Sequence, residues 1–326
     1  MSIFEVLRNI RNSLQSSPLR DVQNQTAQTH LLMGRLASLQ VRSSPCLNSL
    51  QDAEFQVSSQ RGQDGIIDWL IERAEIPAAA RSFIEFGVEN YRQSNTRFLL
   101  RNRNWRGLIM DGDPKLFNVV RKDRLAAAYD LTVRSAFITR ETINGLIADT
   151  GFRGEIGLLC IDLDGNDYWV WEAIEAVRPI LCVCEYNAVF GDRYAVSTPY
   201  DPGFLRAKAH FSHLYFGASI AALRTLAARK GYRFVGSTSS GNDAFFVRDD
   251  YAARIECALT HVRAMPSLFR ESRNAIGRMS YIGGLERLRA IADMPVVLVE
   301  KGTTMRLCDL ETPYSPEWLD ALTGTH

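Results

Sequence analysis

Net charge is almost absent from this chain: 38 lysines and arginines stand against 37 aspartates and glutamates. Without a global basic field, neither nucleic acid nor an anionic membrane surface is an expected partner. No apolar run is long enough to span a bilayer, and no signal-peptide core precedes the first polar residues. The six cysteines (Cys46, Cys160, Cys182, Cys184, Cys257 and Cys308) form no CxxC and no zinc-like cluster. Cys182 and Cys184 stand two apart in an apolar run, so they face one side of a strand as small buried hydrophobes. Unpaired cysteines of this kind suit a reducing compartment, and a cytoplasmic protein is expected.

What remains is ordinary globular material. Of 326 residues, 46% are hydrophobic and 23% charged, enough to bury a sizeable core in one large domain with extensions or in two domains. The basic residues are mostly arginine.

Residues 1–57 read as a helical extension. Ile3, Leu7, Ile10 and Leu14 have helical spacing, and Pro18 breaks that helix. A second helix carries Val22, Thr29, Leu32, Leu36 and Leu39 close to a heptad stripe. Such a stripe serves either a short coiled coil joining two chains or a hairpin packed on its own domain. Residues 41–57 are polar and predict a linker.

Residues 58–250 alternate regularly. Predicted strands cover Phe83–Gly87, Gly107–Asp111, Ala126–Val133, Ile156–Ile161 and Ile180–Glu185, with helical patterns between them. Asp113-Pro114 reads as an N-cap followed by proline in the first turn. A loop-rich insert spans Tyr186–Gly217. Then come a helix over Ser219–Lys230 and two strands at Tyr232–Val235 and Ala244–Val247. This order predicts a doubly wound α/β sheet. Residues 251–326, with helices at Tyr251–Arg263 and Leu285–Ile291 and the strand VVLVE, read as a small α/β appendage.

Candidate ligand residues gather at the carboxyl ends of these strands, where open α/β sheets bind. Gly87 ends the first strand without a GxGxxG, which disfavours a dinucleotide pyrophosphate. Glu85 and Glu89 around that glycine suit a ligand bearing positive charge, or Glu85 caps local backbone. Asp111 ends the second strand, placed for the two hydroxyls of a ribose. Together these residues suggest an adenosine-containing ligand without a pyrophosphate.

The fourth strand delivers Asp162 and Asp164. With Glu185 and Asn187 on the adjacent fifth strand, they could hold a hard divalent cation, or the turn is structural, with Asp164 and Asn166 bonding local backbone. An EF-hand is excluded, because its twelfth position would be Ala173. A DxD holding a metal and nucleotide diphosphate stays open. Tyr168 could face the cleft. His210 and His213 in the insert could include a general base, although packing histidines are common and no zinc set accompanies them.

Ten segments in order resemble the FkbM-type group of S-adenosylmethionine-dependent methyltransferases, particularly a bacterial branch. They include SQRGQDGII (59–67), FIEFGVEN (83–90), SNTRFLL (94–100), WRGLIMDGDP (105–114), IDLDGNDYWVWEAI (161–174), EYNAVFG (185–191) and KGYRFVGSTSSGNDAFFVR (230–248). FIT (137–139), VSTPYDP (196–202) and YFGASIAAL (215–223) complete the set, so the resemblance covers Ser59–Arg248.

The resemblance implies a class I methyltransferase (Rossmann-like) sheet with S-adenosylmethionine as cofactor. Glu85, Gly87 and Glu89 would line its methionine portion, Asp111 the ribose, and Asp162 would lie near the transferred methyl, with Gln60 and Asn95 also binding the cofactor. Where many relatives have Asp-Gly, this chain has Glu89-Asn90, which alters the turn. Methylation of a hydroxyl on a sugar, glycan or natural-product precursor is the implied reaction. Asp162, Asp164 or His210 would act as base. Asn166, Tyr168, Glu185, Asn187, Tyr200, His213 and Tyr215 would bind the acceptor. The rivals are a metal-dependent DxD glycosyltransferase and a non-catalytic interaction module.

Overall fold

The computed structural model describes residues 18–268 and 271–324. The expected helix through Ile3–Leu14 lies outside the described residues. In chain order the strands are β1 (Ser82–Phe86), β2 (Arg106–Asp111), β3 (Leu131–Ser135), β4 (Gly154–Ile161), β5 (Val177–Glu185), β6 (Val196–Ser197), β7 (Tyr232–Ser237), β8 (Asp243–Arg248), β9 (Pro295–Leu298) and β10 (Thr303–Arg306). Around them lie α1 (Pro18–Ser43), α2 (Gln63–Ala74), α3 (Arg97–Arg103), α4 (Lys115–Lys122), α5 (Leu125–Ala128), α6 (Ile143–Ala148) and α7 (Asp167–Ala173). The remaining helices are α8 (Arg206–Ala209), α9 (Ile220–Arg229), α10 (Asp249–Glu256), α11 (Glu286–Ala290) and α12 (Pro316–Thr323).

The main sheet has the order β3-β2-β1-β4-β5-β8-β7. Strands β1 to β5 pair in parallel, and β8 runs antiparallel to both its neighbours. The chain moves outward from β1 to β3, then crosses back to lay β4 beside β1. That reversal is a topological switch point, where a crevice opens at the carboxyl ends of the strands. A parallel sheet of this order, closed by an antiparallel strand between β5 and β7, is the class I methyltransferase form of the Rossmann-like fold.

The central strands are apolar because both faces are covered. On one face Phe83, Leu158, Cys160, Val183 and Phe245 pack with Ile66, Trp69 and Leu70 of α2. On the other, Ile84, Phe86, Leu159, Ile161, Cys182 and Cys184 pack with Trp171 of α7 and Leu223 of α9. Trp171 meets Phe246 at 4.9 Å between ring centroids. Cys182 and Cys184 share one face, as the spacing required.

Three expectations need correction. The strand over Ala126–Val133 is split. Its alanine run forms α5, alanine being the best helix former, and β3 starts only at Leu131. The helix expected to reach Arg263 ends at Glu256.

Residues 41–57 are no linker. α1 continues to Ser43, and Leu47, Leu50 and Ala53 are buried in the first core. Here polarity supplies partners rather than slack. The Leu47 N–H donates to the Ala258 carbonyl at 2.9 Å, and Asp52 accepts from the Asn48 and Ser49 N–H groups at 2.9 and 3.0 Å.

The insert and the C-terminal segment fold together. Strand β6 pairs with β9, and β9 with β10, in a second, three-stranded sheet. Val189, Phe190, Leu214, Ile291, Val296 and Leu307 form its core. Among the described residues no helix is long and apolar enough to cross a membrane.

Candidate active site

The carboxyl ends of β1, β2, β4 and β5 open into a cavity of about 970 Å³. Its floor is acidic, with Glu85, Glu89, Asp111, Asp162, Asp164 and Glu185 in the wall. Gln60, Gly87, Asn95, Asn166 and His213 line it too. The roof comes from the insert, through Phe204 to Lys208, and one side from the β7–β8 turn, through Asn242 and Asp243.

Gly87 makes the junction possible. Its φ is +73°, and a Cβ there would stand 1.4 Å from the Asp162 carbonyl oxygen. Only glycine lets the β1 turn lie against the end of β4. Glu85, directly before it, is buried. Its carboxylate accepts the Asn95 N–H at 2.7 Å, the Thr96 N–H at 3.1 Å and the Thr96 hydroxyl. Burial raises its pKa in spite of these bonds. Glu85 therefore holds the 94–96 turn, the local-backbone role weighed from the sequence.

Asp111 ties two turns together. One carboxylate oxygen accepts the Glu89 N–H and the other the Asp113 N–H, each at 2.7 Å. Each oxygen keeps a second acceptor direction for a ligand. Asp113 in turn accepts the Lys115 N–H at 2.8 Å, but α4 starts one position later than expected, so Pro114 and not Asp113 is its N-cap.

Asp162 differs from these. Among the described residues no protein donor bonds its carboxylate, and burial together with the charge on Glu185 pushes its pKa well above the usual carboxylate range. Oxygens of Asp162, Asp164 and Glu185 all lie within 4.8 Å of one another. Asp164, at φ +53°, is held from the roof by Arg206, Nη1 to Oδ1 at 2.5 Å. Arg206 also lies 4.1 Å over the Phe216 ring and donates to the His213 carbonyl at 2.7 Å. Insert and floor are thus joined at the site.

The turn itself is built by Asp167, which sequence reasoning did not single out. Its carboxylate accepts the Leu163 N–H at 2.7 Å and the Gly165 N–H at 2.9 Å. Burial and Glu185 raise its pKa to about 7. The available signal was an acid five residues after Asp162 at a helix start. Gln63 was also missed. Its amide donates to Asp243 at 2.7 Å and joins α2 to the β8 side of the cavity.

Several expected site residues point elsewhere. Asn187 is buried with both ends in use: Nδ2 donates to the Leu214 and Phe216 carbonyls at 2.8 and 2.9 Å, and Oδ1 accepts the Val189 N–H at 3.0 Å. It clamps the insert and offers nothing to a cation. Tyr168 faces α9, where its hydroxyl accepts from Arg229 at 2.6 Å. Tyr215 donates to the Pro295 carbonyl in the second sheet, and Tyr200 donates to Glu141 before α6. His210 is held by Ser212, with Nδ1 and Oγ 2.7 Å apart, and stays out of the cavity wall. Of the insert's rings only Phe204 and His213 reach that wall. Burial, followed by the charges of Arg273 and Arg206, lowers the pKa of His213.

No protein-family model matches the chain, and no curated protein matches it. Solved structures of similar shape exist. An O-methyltransferase from Bacillus cereus in complex with SAH shares 16% identity over 66% of this chain and 89% of its own, with a TM-score of 0.38. The CurJ carbon methyltransferase shares 9% over 69% of this chain and 70% of its own, with a TM-score of 0.36. Coclaurine N-methyltransferase, bound to N-methylheliamine and SAH, shares 14% over 72% of each chain, with a TM-score of 0.32. At such distances the likeness carries no argument about chemistry.

Proposed function

We propose that this chain is a cytoplasmic S-adenosylmethionine-dependent methyltransferase of the FkbM-type group. Its acceptor would be a hydroxyl on a sugar, glycan or natural-product precursor. The carrying observation is the switch-point cavity, where Asp111 at the end of β2 and a backbone bared by Gly87 stand beside the unbonded carboxylate of Asp162. The donor's ribose hydroxyls suit the free acceptor directions of Asp111, and Gln60, Asn95 and the Gly87 turn suit its methionine half.

The cofactor supplies an electrophilic methyl on a sulfonium; the protein aligns the acceptor and takes its proton. Asp162 is the base. Its raised pKa makes the ionised carboxylate a stronger proton acceptor than an ordinary one. In the balanced step a C–O bond forms as the C–S bond breaks, and the hydroxyl proton passes to Asp162. Asp164 and Glu185 orient the acceptor. His213 contributes from the roof.

Calorimetric titration with S-adenosylhomocysteine and with UDP-glucose separates the readings. Heat with the adenosyl compound alone is expected. Heat with the sugar nucleotide alone would establish the glycosyltransferase, and silence with both the non-catalytic module. Asp111→Ala should weaken S-adenosylhomocysteine by about 10- to 100-fold, the loss of charge-assisted bonds worth about 1.5–3 kcal/mol. Unchanged affinity removes the ribose role.

The carboxylate trio favours a second reading, in which Asp162 is not the base and a divalent cation held by Asp162, Asp164 and Glu185 would orient the acceptor instead. EDTA should then leave S-adenosylhomocysteine binding intact and suppress transfer, with Mg²⁺ restoring it. Transfer unaffected by EDTA would discard the cation.

A further inference from the structure

The longest helix presents a face that nothing in the described chain covers. On α1, Val22, Leu32, Met33, Leu36 and Leu39 are 57–67% exposed. Five large apolar side chains on one surface helix exceed the scattered singles that a monomer normally shows. Their order is specific. Val22, Thr29 and Leu36 repeat every seven residues, as do Gln25, Leu32 and Leu39, and the two series interleave as a and d of a heptad.

The opposite face of α1 is fixed to its own domain. Gly34 and Val41 fall at position f, diametrically across from the a/d seam. Gly34 is buried so closely that a Cβ would meet Val57 at 2.3 Å. Nearby, Ser38 donates to Asp68, and Arg42 pairs with Glu72 at 2.9 Å. The helix is a rigid rib of about 39 Å at 1.5 Å per residue. Its outer edge repeats in the way that pairs helix with helix.

We infer that this seam pairs with the same seam of a second copy, so that the protein is a homodimer joined through α1. Three features select that occupant. The a/d pattern is self-complementary, and a two-fold pair of identical stripes closes at two chains. Beyond Asp21 at the first g position, the e and g flanks carry no acid. They are Thr26, Met33 and Gln40 on one side, and Gln28, Arg35 and Arg42 on the other, with Arg42 held by Glu72 and Arg35 donating to the Arg101 carbonyl at 3.4 Å. A pairing chosen by charge would need complementary charges there. Finally, because position f carries each domain, the two bodies lie on opposite outer sides of the helix pair and do not collide. Gln25 and Thr29 within the seam set the register.

Sedimentation equilibrium on the full chain tests this. Wild type should show twice the 36.7 kDa chain mass. Leu36→Glu/Leu39→Glu should halve it, with an unchanged circular-dichroism spectrum and unchanged affinity for S-adenosylhomocysteine, since both side chains point away from the body. The adenosyl titration reports the site independently, so failure of the dimer and failure of the methyltransferase reading are distinct results. A monomeric wild type at about 100 µM, well above the micromolar range of a modest interface, would overturn the inference. A variant that stays dimeric overturns it equally.

Discussion

Asp162→Asn should abolish most methyl transfer while making the protein more stable. The rate is expected to fall by about 10²- to 10⁴-fold, the range for a positioned general base. S-adenosylhomocysteine affinity should change little, because the proton is taken from the acceptor.

The stability gain follows from the environment. Asp162 sits half-buried in the cavity wall beside Glu185, and desolvation with that charge raises its folded-state pKa above the unfolded value. Across the window between those two pKa values the native state binds more protons than the unfolded state, so stability falls as pH rises. The contribution is fully favourable only below the unfolded pKa. The neutral amide removes that loss. Its Tm should exceed wild type by about 1–3 °C at pH 8, an increment of about 1 kcal/mol, and the difference should vanish near pH 4. The rising limb of kcat/KM against pH should disappear from the residual activity. A variant with wild-type rate would remove Asp162 from the chemistry, and one less stable at pH 8 would refute the electrostatic account.

Gly87→Ala should be the most damaging single methyl in the chain. A Cβ would fall 1.4 Å from the Asp162 carbonyl oxygen, at a backbone φ of +73°. Backbone cannot yield as a side-chain tip can, so β1 and β4 must separate where the cavity begins. The expected cost is above about 4 kcal/mol, the range reserved for steric or buried-polar failures, with Tm lowered by at least about 8 °C. Gly145→Ala is the internal control. Gly145 lies inside α6 with nothing within 4 Å of its added Cβ, so that variant should gain about 0.5–1 kcal/mol. Both are read by thermal denaturation. A Gly87→Ala protein that melts with wild type would show that the strand junction is not tight.

The sequence showed the sheet clearly because parallel strands buried on both faces are continuous apolar runs. Gly154–Ile161 and Val177–Glu185 are of that kind, and both were found with only their first residues missed. Ala126–Val133 misled because an alanine run has no period of its own, and local propensity decided it. The 41–57 stretch misled for the opposite reason. Asp52 and Gln51 look like solvent-exposed polar residues, yet they bond backbone across a packed strap.

In the site, residues at strand ends were legible because topology fixes where such ends point. Glu85, Gly87, Asp111, Asp162 and Asp164 all reach one cavity. The insert was not legible. Tyr200, Tyr215, His210 and Asn187 are the residue types that bind acceptors, but also the types that secure irregular backbone, and they do the second here. Which aromatic reaches the cavity depended on β6 pairing with a strand far along the chain. Arg206 had no signal, being one arginine among many.

That pairing has a consequence for synthesis. Val196 bonds Ser219 early, but its partner in the three-stranded sheet comes only at Leu298. At about 5–20 residues per second, the insert waits on the order of 5–20 s on the ribosome before its edge can close. Until then the sheet can form, with Asp162 and Asp111 at its carboxyl edge, and Arg206 can reach Asp164, but the core beneath the insert lacks Ile291, Val296 and Leu307. The nascent chain therefore acquires its floor before its roof. Ligands of the floor alone can bind during translation, whereas any discrimination exercised by the roof begins only when the last strands emerge.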